Sequence, residues 1–278
     1  MQAMATGSSS SVMALLSEKA ASGRRLRALL VAALVCLAQG LEASNPLEEL
    51  VQQTHPVDPV ATLSVRNMDG SIAIRVSDVA AISIRATKRA YTTARLRGIV
   101  VDVKAAPDRV SIETIVPPGE GLLGDRSGTV DYVITIPKTV RIEQLDLNDG
   151  EVSIEGLRGG SAVARVGNGW LAVRNCFADL DLAVTDGRLQ VAYDRWEESN
   201  FRVVLASPEG DIRVNFPSEA SVNIVARTVS GRIVNGLGAK QEEENGTSRF
   251  LSMTTGSKPG ASFEMSTTTG DIRINKPY

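Results

Sequence analysis

The sequence predicts an all-β chain whose part after residue 60 winds as a single-stranded β-solenoid, and three observations carry that reading. Pairs of aliphatic residues separated by one position recur every eight to eleven residues from Ala61 onward, the period-two mark of strands with one buried face. A turn residue, a glycine, any residue and an aliphatic strand follow one another at a steady interval. Aromatic residues make up only 4% of the chain, so a narrow interior of Val, Ile, Leu and Ala suits the composition.

The chain opens with a leader pattern. Arg24, Arg25 and Arg27 precede an apolar run from Ala28 to Ala38, and small residues stand at Ala38 and Gly40. The run is about half of the roughly twenty residues a membrane-spanning helix needs. Residues 1–40 therefore read as a cleaved secretory signal, and no span is expected once it is removed. Cys36 is preceded by bulky Val35, which argues against lipidation there. Residues 41–60, with Asn45-Pro46, His55-Pro56 and Asp58-Pro59, read as an irregular lead-in, with a short helix compatible with Leu47–Gln52.

Residues 61–278 carry the repeat. Its strand pairs include Leu63/Val65, Ile72/Ile74, Ile82/Ile84, Val101/Val103, Leu145/Leu147, Leu180/Leu182, Ile212/Val214 and Ile272/Ile274. The turn glycines are Gly70, Gly150, Gly169, Gly187, Gly210, Gly231 and Gly270. From Gly150 to Gly231 they stand 19, 18, 23 and 21 residues apart, while Gly70 to Gly150 spans 80 and Gly231 to Gly270 spans 39. A period near twenty is an internal repeat. A solenoid passes the same corner once per coil and so returns the same glycine, whereas hairpin turns of an antiparallel β-sandwich, the competing fold, have no such reason. About ten coils of two strands and two turns are expected, stacked at about 4.8 Å each. Three stretches read as loops bulging from the wall: Tyr91–Gly98, Pro117–Gly128 and Gly236–Lys258.

This punctuation resembles a bacterial putative-adhesin family of unknown function, with Gly-x-Ile-x-Val repeats and a β-solenoid fold like an auto-transporter adhesin head. The residues that carry the resemblance are Leu63–Ile74, Val130–Pro137, and Phe216–Ile224 followed by Val229–Ile233. The resemblance implies an extracytoplasmic surface role and supplies no catalytic residues.

Composition narrows the chemistry. Without the leader the chain has 26 basic and 31 acidic side chains, a charge of −5 that disfavours nucleic acid as a partner. His55 is the sole histidine and Cys176 the sole cysteine after the leader, so neither a zinc site nor a disulfide is expected, and no cofactor. Asp69, Asp149 and Asp186 precede corner glycines and could line up for calcium. Asn168, Ser230 and Thr269 occupy equivalent places, however, and turn preference accounts for all six.

Asp179, Asp181, Asp186, Asp194 and Glu197 offer carboxylates to a glycan-cleaving enzyme, with Asp179 and Asp181 outward and Leu180 and Leu182 inward. Trp170, Tyr193 and Trp196 could stack sugars, Trp170 from the surface. Lys88, Arg89, Arg95 and Arg97 surround Tyr91 and read as a solvated basic loop, and Asn245-Gly246-Thr247 is a glycosylation sequon. The reading that fits all of this is an exported, non-catalytic surface module, an adhesin or binding scaffold of the cell envelope with a protein or glycan ligand. A carbohydrate-active solenoid enzyme and an envelope stress sensor are the alternatives.

Overall fold

A computed structural model describes residues 45–118, 127–238, 243–246 and 248–276. The leader, residues 119–126 of the second interruption and Thr247 of the sequon lie outside these residues. Among the described residues the strands are β1 (Leu47–Pro56), β2 (Thr62–Ser77), β3 (Ala81–Ala90), β4 (Val100–Ala106), β5 (Arg109–Ile115) and β6 (Thr129–Pro137). They continue as β7 (Arg141–Glu155), β8 (Arg158–Arg174), β9 (Phe177–Ala192), β10 (Phe201–Asn215) and β11 (Val222–Ser230). The last are β12 (Ile233–Asn235), β13 (Glu243–Asn245), β14 (Ser248–Thr254), β15 (Ala261–Thr269) and β16 (Ile272–Asn275), and one helix, α1 (Thr93–Gly98), lies between β3 and β4.

The long strands β2, β7, β8, β9 and β10 each make one coil with two arms that meet at a corner glycine. They pair in parallel and in register, so Gly70 faces Gly150, Gly150 faces Gly169, Gly169 faces Gly187 and Gly187 faces Gly210. A change of phase at each corner makes these strands coils rather than flat ribbons. In β10 the inward residues are Val203, Leu205 and Ser207 before Gly210, then Ile212 and Val214 after it. An unbroken strand would keep one parity on one face. The odd step lets both arms line the same interior, and the same switch separates Ala162, Ala164 and Val166 from Leu171 and Val173 in β8.

The expectation of about ten sequential coils needs correction: the described residues hold seven glycine-cornered coils, and they do not stack in chain order. The eighty residues between Gly70 and Gly150 do not form four coils. Instead β5 and β6 pair in parallel with the two arms of β2, as a split coil without a corner glycine. Antiparallel β4 then covers β5, and antiparallel β3 and β1 cover β6.

At the other end the order changes again. The C-terminal coil, β15 with β16, is inserted between β10 and the coil made of β11 and β12, pairing in parallel with both. Antiparallel β14 and β13 close the outside of β11. Antiparallel strands thus border both arms at the β2 end and the first arm at the other, where β12 itself stands at the border.

Three smaller expectations are corrected as well. Leu47–Gln52 is no helix and its surroundings no irregular lead-in, because residues 47–56 add a ten-residue antiparallel strand to β3. Pairing with a waiting edge outweighs the weak helical preference of Leu-Glu-Glu-Leu. Tyr91–Gly98 is not plain loop: Thr92 caps α1 by accepting a hydrogen bond from Arg95 N at 3.2 Å, and Leu96 buries beneath it. Val101 and Val103, on the bordering strand β4, are only half-buried.

The core is mainly aliphatic, with one aromatic cluster. Phe177, Tyr193, Trp196, Phe201, Phe216 and Phe263 meet near the second corner of the middle coils; Phe216 and Phe263 pack edge to face at 4.8 Å, and Tyr193 stacks on Phe216 at 6.1 Å. Six of the eleven aromatic residues are spent there, so sparse aromatics are concentrated rather than absent from the core.

Candidate ligand-binding groove

Seven sequence-predicted glycines meet in one corner column. The structure orders them 70, 150, 169, 187, 210, 270, 231, and each carbonyl in that order points at the Cα of the next. A methyl group at Gly169 would sit 2.0 Å from Gly150 O, and one at Gly210 would sit 2.2 Å from Gly187 O. Gly169 also needs its positive φ of 135°, whereas Gly210 and Gly231 do not adopt such a conformation. Close approach of neighbouring coils is therefore the common requirement, not backbone handedness.

The residues before these glycines stand in a column of their own. Burial first, then repulsion from Asp149, pushes the Asp69 carboxyl above its ordinary value. Asn168 donates Nδ2–H to Asp149 Oδ1 at 2.8 Å, breaking the run of charge with a neutral amide. Among the described residues no three histidine, cysteine, aspartate or glutamate side chains are grouped to hold a metal ion.

The carboxylates proposed for glycan cleavage are tied to adjoining coils. Asp179 and Asp181 are exposed on β9 with Leu180 and Leu182 inward, as expected. Asp179 accepts Arg202 N–H at 2.8 Å and Asp181 pairs with Arg165 at 2.8 Å. Asp194 accepts from Arg174 Nε at 2.9 Å and Asn175 Nδ2 at 2.7 Å, while Glu197 takes a fork from Arg158 at 3.0 and 2.6 Å. Those arginine hydrogen bonds hold both carboxyls below the usual range. A general acid needs the opposite displacement. Asp186 lies at the corner, exposed.

The sugar-stacking reading is overturned for Tyr193, while Trp196 is half-buried. Tyr193 is 2% exposed and donates its hydroxyl proton to Cys176 O at 3.0 Å, and Trp196 packs within the aromatic cluster. Of the three, Trp170 is the exposed one, as expected. The basic set is not a solvated loop either. Lys88 is buried, donates to Ile99 O at 3.3 Å and pairs with Glu49 at 2.7 Å. Arg89 pairs with Glu48 and Asp131, and Arg95 donates to the carbonyls of Ser127, Pro117 and Pro118. Tyr91 and Arg97 are exposed, Arg97 in the last turn of α1. His55 sits on β1 with its Nε2 3.0 Å from Gln53 Oε1, and Asn245 ends β13.

What sequence reasoning missed is a groove of about 860 Å³ on the outer face of the second arms of β9, β10 and β16. Two rows of outward residues cross these coils in register. The first runs Gln190, Arg213, Arg273 and Val234; the second runs Ala192, Asn215 and Asn275. Asn275 donates to Asn215 at 3.1 Å, and Lys276 and Asp194 stand at the rim.

Asp271 pairs with both Arg273 at 3.1 Å and Arg232 at 3.0 Å. Burial raises its carboxyl, but those arginines outweigh burial and hold it below the ordinary value. Asp194 is committed to Arg174, and no carboxylate pairs with Arg213 among the described residues. A second groove, of about 580 Å³ on the first arms, differs in kind. There Arg109 pairs with Glu143 at 3.3 Å and Arg66 lies 4.0 Å from Asp146, so charge is balanced internally. Placing Arg213 beside Arg273 requires knowing that the 261–275 coil stacks on the 201–215 coil, which residue spacing does not reveal.

A family model described as Toastrack DUF4097 matches residues 56–275. A crystal structure of a putative cell adhesion protein from Clostridium sporogenes is 14% identical, with a TM-score of 0.50 over 84% of this chain and 100% of that one. A putative adhesin from Bacteroides fragilis is 12% identical, with a TM-score of 0.30 over 81% of this chain and 97% of that one. The first likeness shows a shared fold alone. No curated protein matches the chain.

Proposed function

The chain belongs to the Toastrack DUF4097 family, and we propose that it is an exported, non-catalytic binding module of the cell envelope. The observation that carries this reading is the contrast between its carboxylates and its open groove. Asp181, Asp194 and Glu197 are consumed as staples between coils, while the groove on β9, β10 and β16 presents cations in excess of its carboxylates. Fixed donors on a rigid ladder suit recognition without turnover. The adhesin descriptions attached to the two solved structures agree with a surface role. Among the described residues no helix is long and apolar enough to cross a membrane.

Two measurements test the proposal. Mass spectrometry of protein recovered outside the cytoplasm should find an N-terminus at or within a few residues of Leu41; an intact Met1 on cytosolic protein would remove export. Purified protein should bind envelope material saturably while releasing no new reducing ends. Release that disappears in Asp181→Asn or Asp186→Asn would make it the carbohydrate-active enzyme instead.

A further inference from the structure

Arg213 and Arg273 are direct partners in a parallel ladder, a place where like charges oppose stability. Arg273 shares Asp271 with Arg232, whereas Arg213 has no such carboxylate among the described residues. Lys276 adds a third cation at the rim. The repulsion is relieved when an anion bridges the two guanidiniums, whose planar forks match the two oxygens of a carboxylate.

Beside this cationic row runs an amide row, Asn215 and Asn275, with Gln190 at the end of the first row. Amides both donate and accept, which is what sugar hydroxyls require. The rows run across coils spaced about 4.8 Å apart, close to the advance of one sugar along an extended glycan. The surface is therefore an open line rather than an enclosed cavity, suited to a polymer.

We infer that this groove binds a carboxylate-bearing polysaccharide, with Arg213 and Arg273 taking the carboxylate and the amide row taking hydroxyls. The inference rests on the reading of the chain as a binding module and names its ligand class. Nucleic acid is the less suited polyanion, because the groove's one aromatic residue, Tyr193, is buried and offers no platform for a base.

The test is calorimetric titration of the full exported chain with hexagalacturonate at low salt, with neutral dextran and single-stranded DNA as the other arms. Hexagalacturonate should bind and weaken as salt rises, and dextran should not bind. Arg213→Gln with Arg273→Gln should lower affinity on the order of tenfold or more. Arg213→Lys should restore part of the loss, and Arg75→Gln, on the same arm of the distant β2 coil, should change nothing.

Arg213→Gln alone removes no ion pair and should melt like the unaltered protein, so its several-fold loss would stand even if the double variant folds poorly. Absence of hexagalacturonate binding, undiminished binding by the double variant, or equal binding of dextran would each overturn the inference. DNA binding stronger than hexagalacturonate binding and lost in the double variant would also overturn it, in favour of a nucleic acid. Saturable binding to envelope material without hexagalacturonate binding would refute the groove and leave the binding module standing. Hexagalacturonate binding through the groove in a cytosolic chain with an intact N-terminus would do the reverse and remove export.

Discussion

At the scale of single residues, the corner glycines and one buried thiol give the sharpest expectations. Gly210→Ala forces a methyl group against Gly187 O and Ser207 Oγ without left-handed strain, so its cost should be that of overpacking, about 1–3 kcal/mol. Gly169→Ala meets the same obstacle and adds the strain of a positive φ, worth a further 1–3 kcal/mol or so. Urea melts of the two variants should rank Gly169→Ala as the more damaging; equal midpoints would mean that φ is relaxed at no cost. Cys176 is buried, and that burial pushes its thiol up to about 11 from an ordinary 9.0. The folded chain therefore keeps a proton that the unfolded chain releases first. Its contribution is fully present below pH 9 and is lost as pH rises towards 11. Burial likewise pushes Tyr132 up to about 12, which extends the decline to higher pH. Stability measured by urea melts at pH 8 and pH 11 should fall less in Cys176→Ala than in the unaltered protein. On the acid side, Asp194 and Glu197 act oppositely: their contribution is present above the unfolded carboxyl values and fades as pH falls through the lowered folded ones.

At the scale of an element, β10 shows what a coil owes to its neighbours. Ile212 is fully buried, and its truncation to alanine removes volume that stacked coils cannot reclaim, costing about 2–5 kcal/mol. Arg213, one residue on, faces the groove, and Arg213→Ala should stay within about 0.5 kcal/mol. In a stack, damage spreads first to adjoining coils. For β10 those are β9 and the β15–β16 coil, so hydrogen exchange in Ile212→Ala should rise in residues 177–192 and 261–275 before 222–235. A rise in 222–235 ahead of 261–275 would contradict the stacking order. Much of this element was legible in the sequence. The aliphatic pairs named the inward face, and the seven glycines named the corner, because both are local demands of a strand and a close approach. Stacking order was not legible, since any glycine-cornered coil can rest on any other of the same register. The border strands were hidden for a related reason: β1 reads as a polar, helix-prone segment, and only the open edge of β3 makes it a strand. The candidate site suffered most. Its carboxylates were visible as residue types, but their arginine partners lie about one coil or more away, and the groove exists only where two distant segments meet.

For the whole molecule, the inserted C-terminal coil decides how the parts depend on one another. Were the coils laid down in order, removing the last would cost one coil and little else. Here truncation after Pro259 takes away the layer between β10 and the β11–β12 coil, exposing the inner side of both. Residues 222–254 should then lose protection in hydrogen exchange together, while residues 141–174, several coils away, keep it. Retained protection over 222–254 would show that this unit folds without the insert. The same arrangement bears on how the chain is made. A solenoid stacked in chain order can solidify behind a ribosome or an export channel, each coil settling on the one before it. This chain does so from β7 to β10. Residues 222–254 then emerge with no finished surface to rest on, and must wait, apolar face uncovered, for a segment synthesised after them. A holding chaperone would therefore matter more to residues 222–254 than to the coils from β7 to β10.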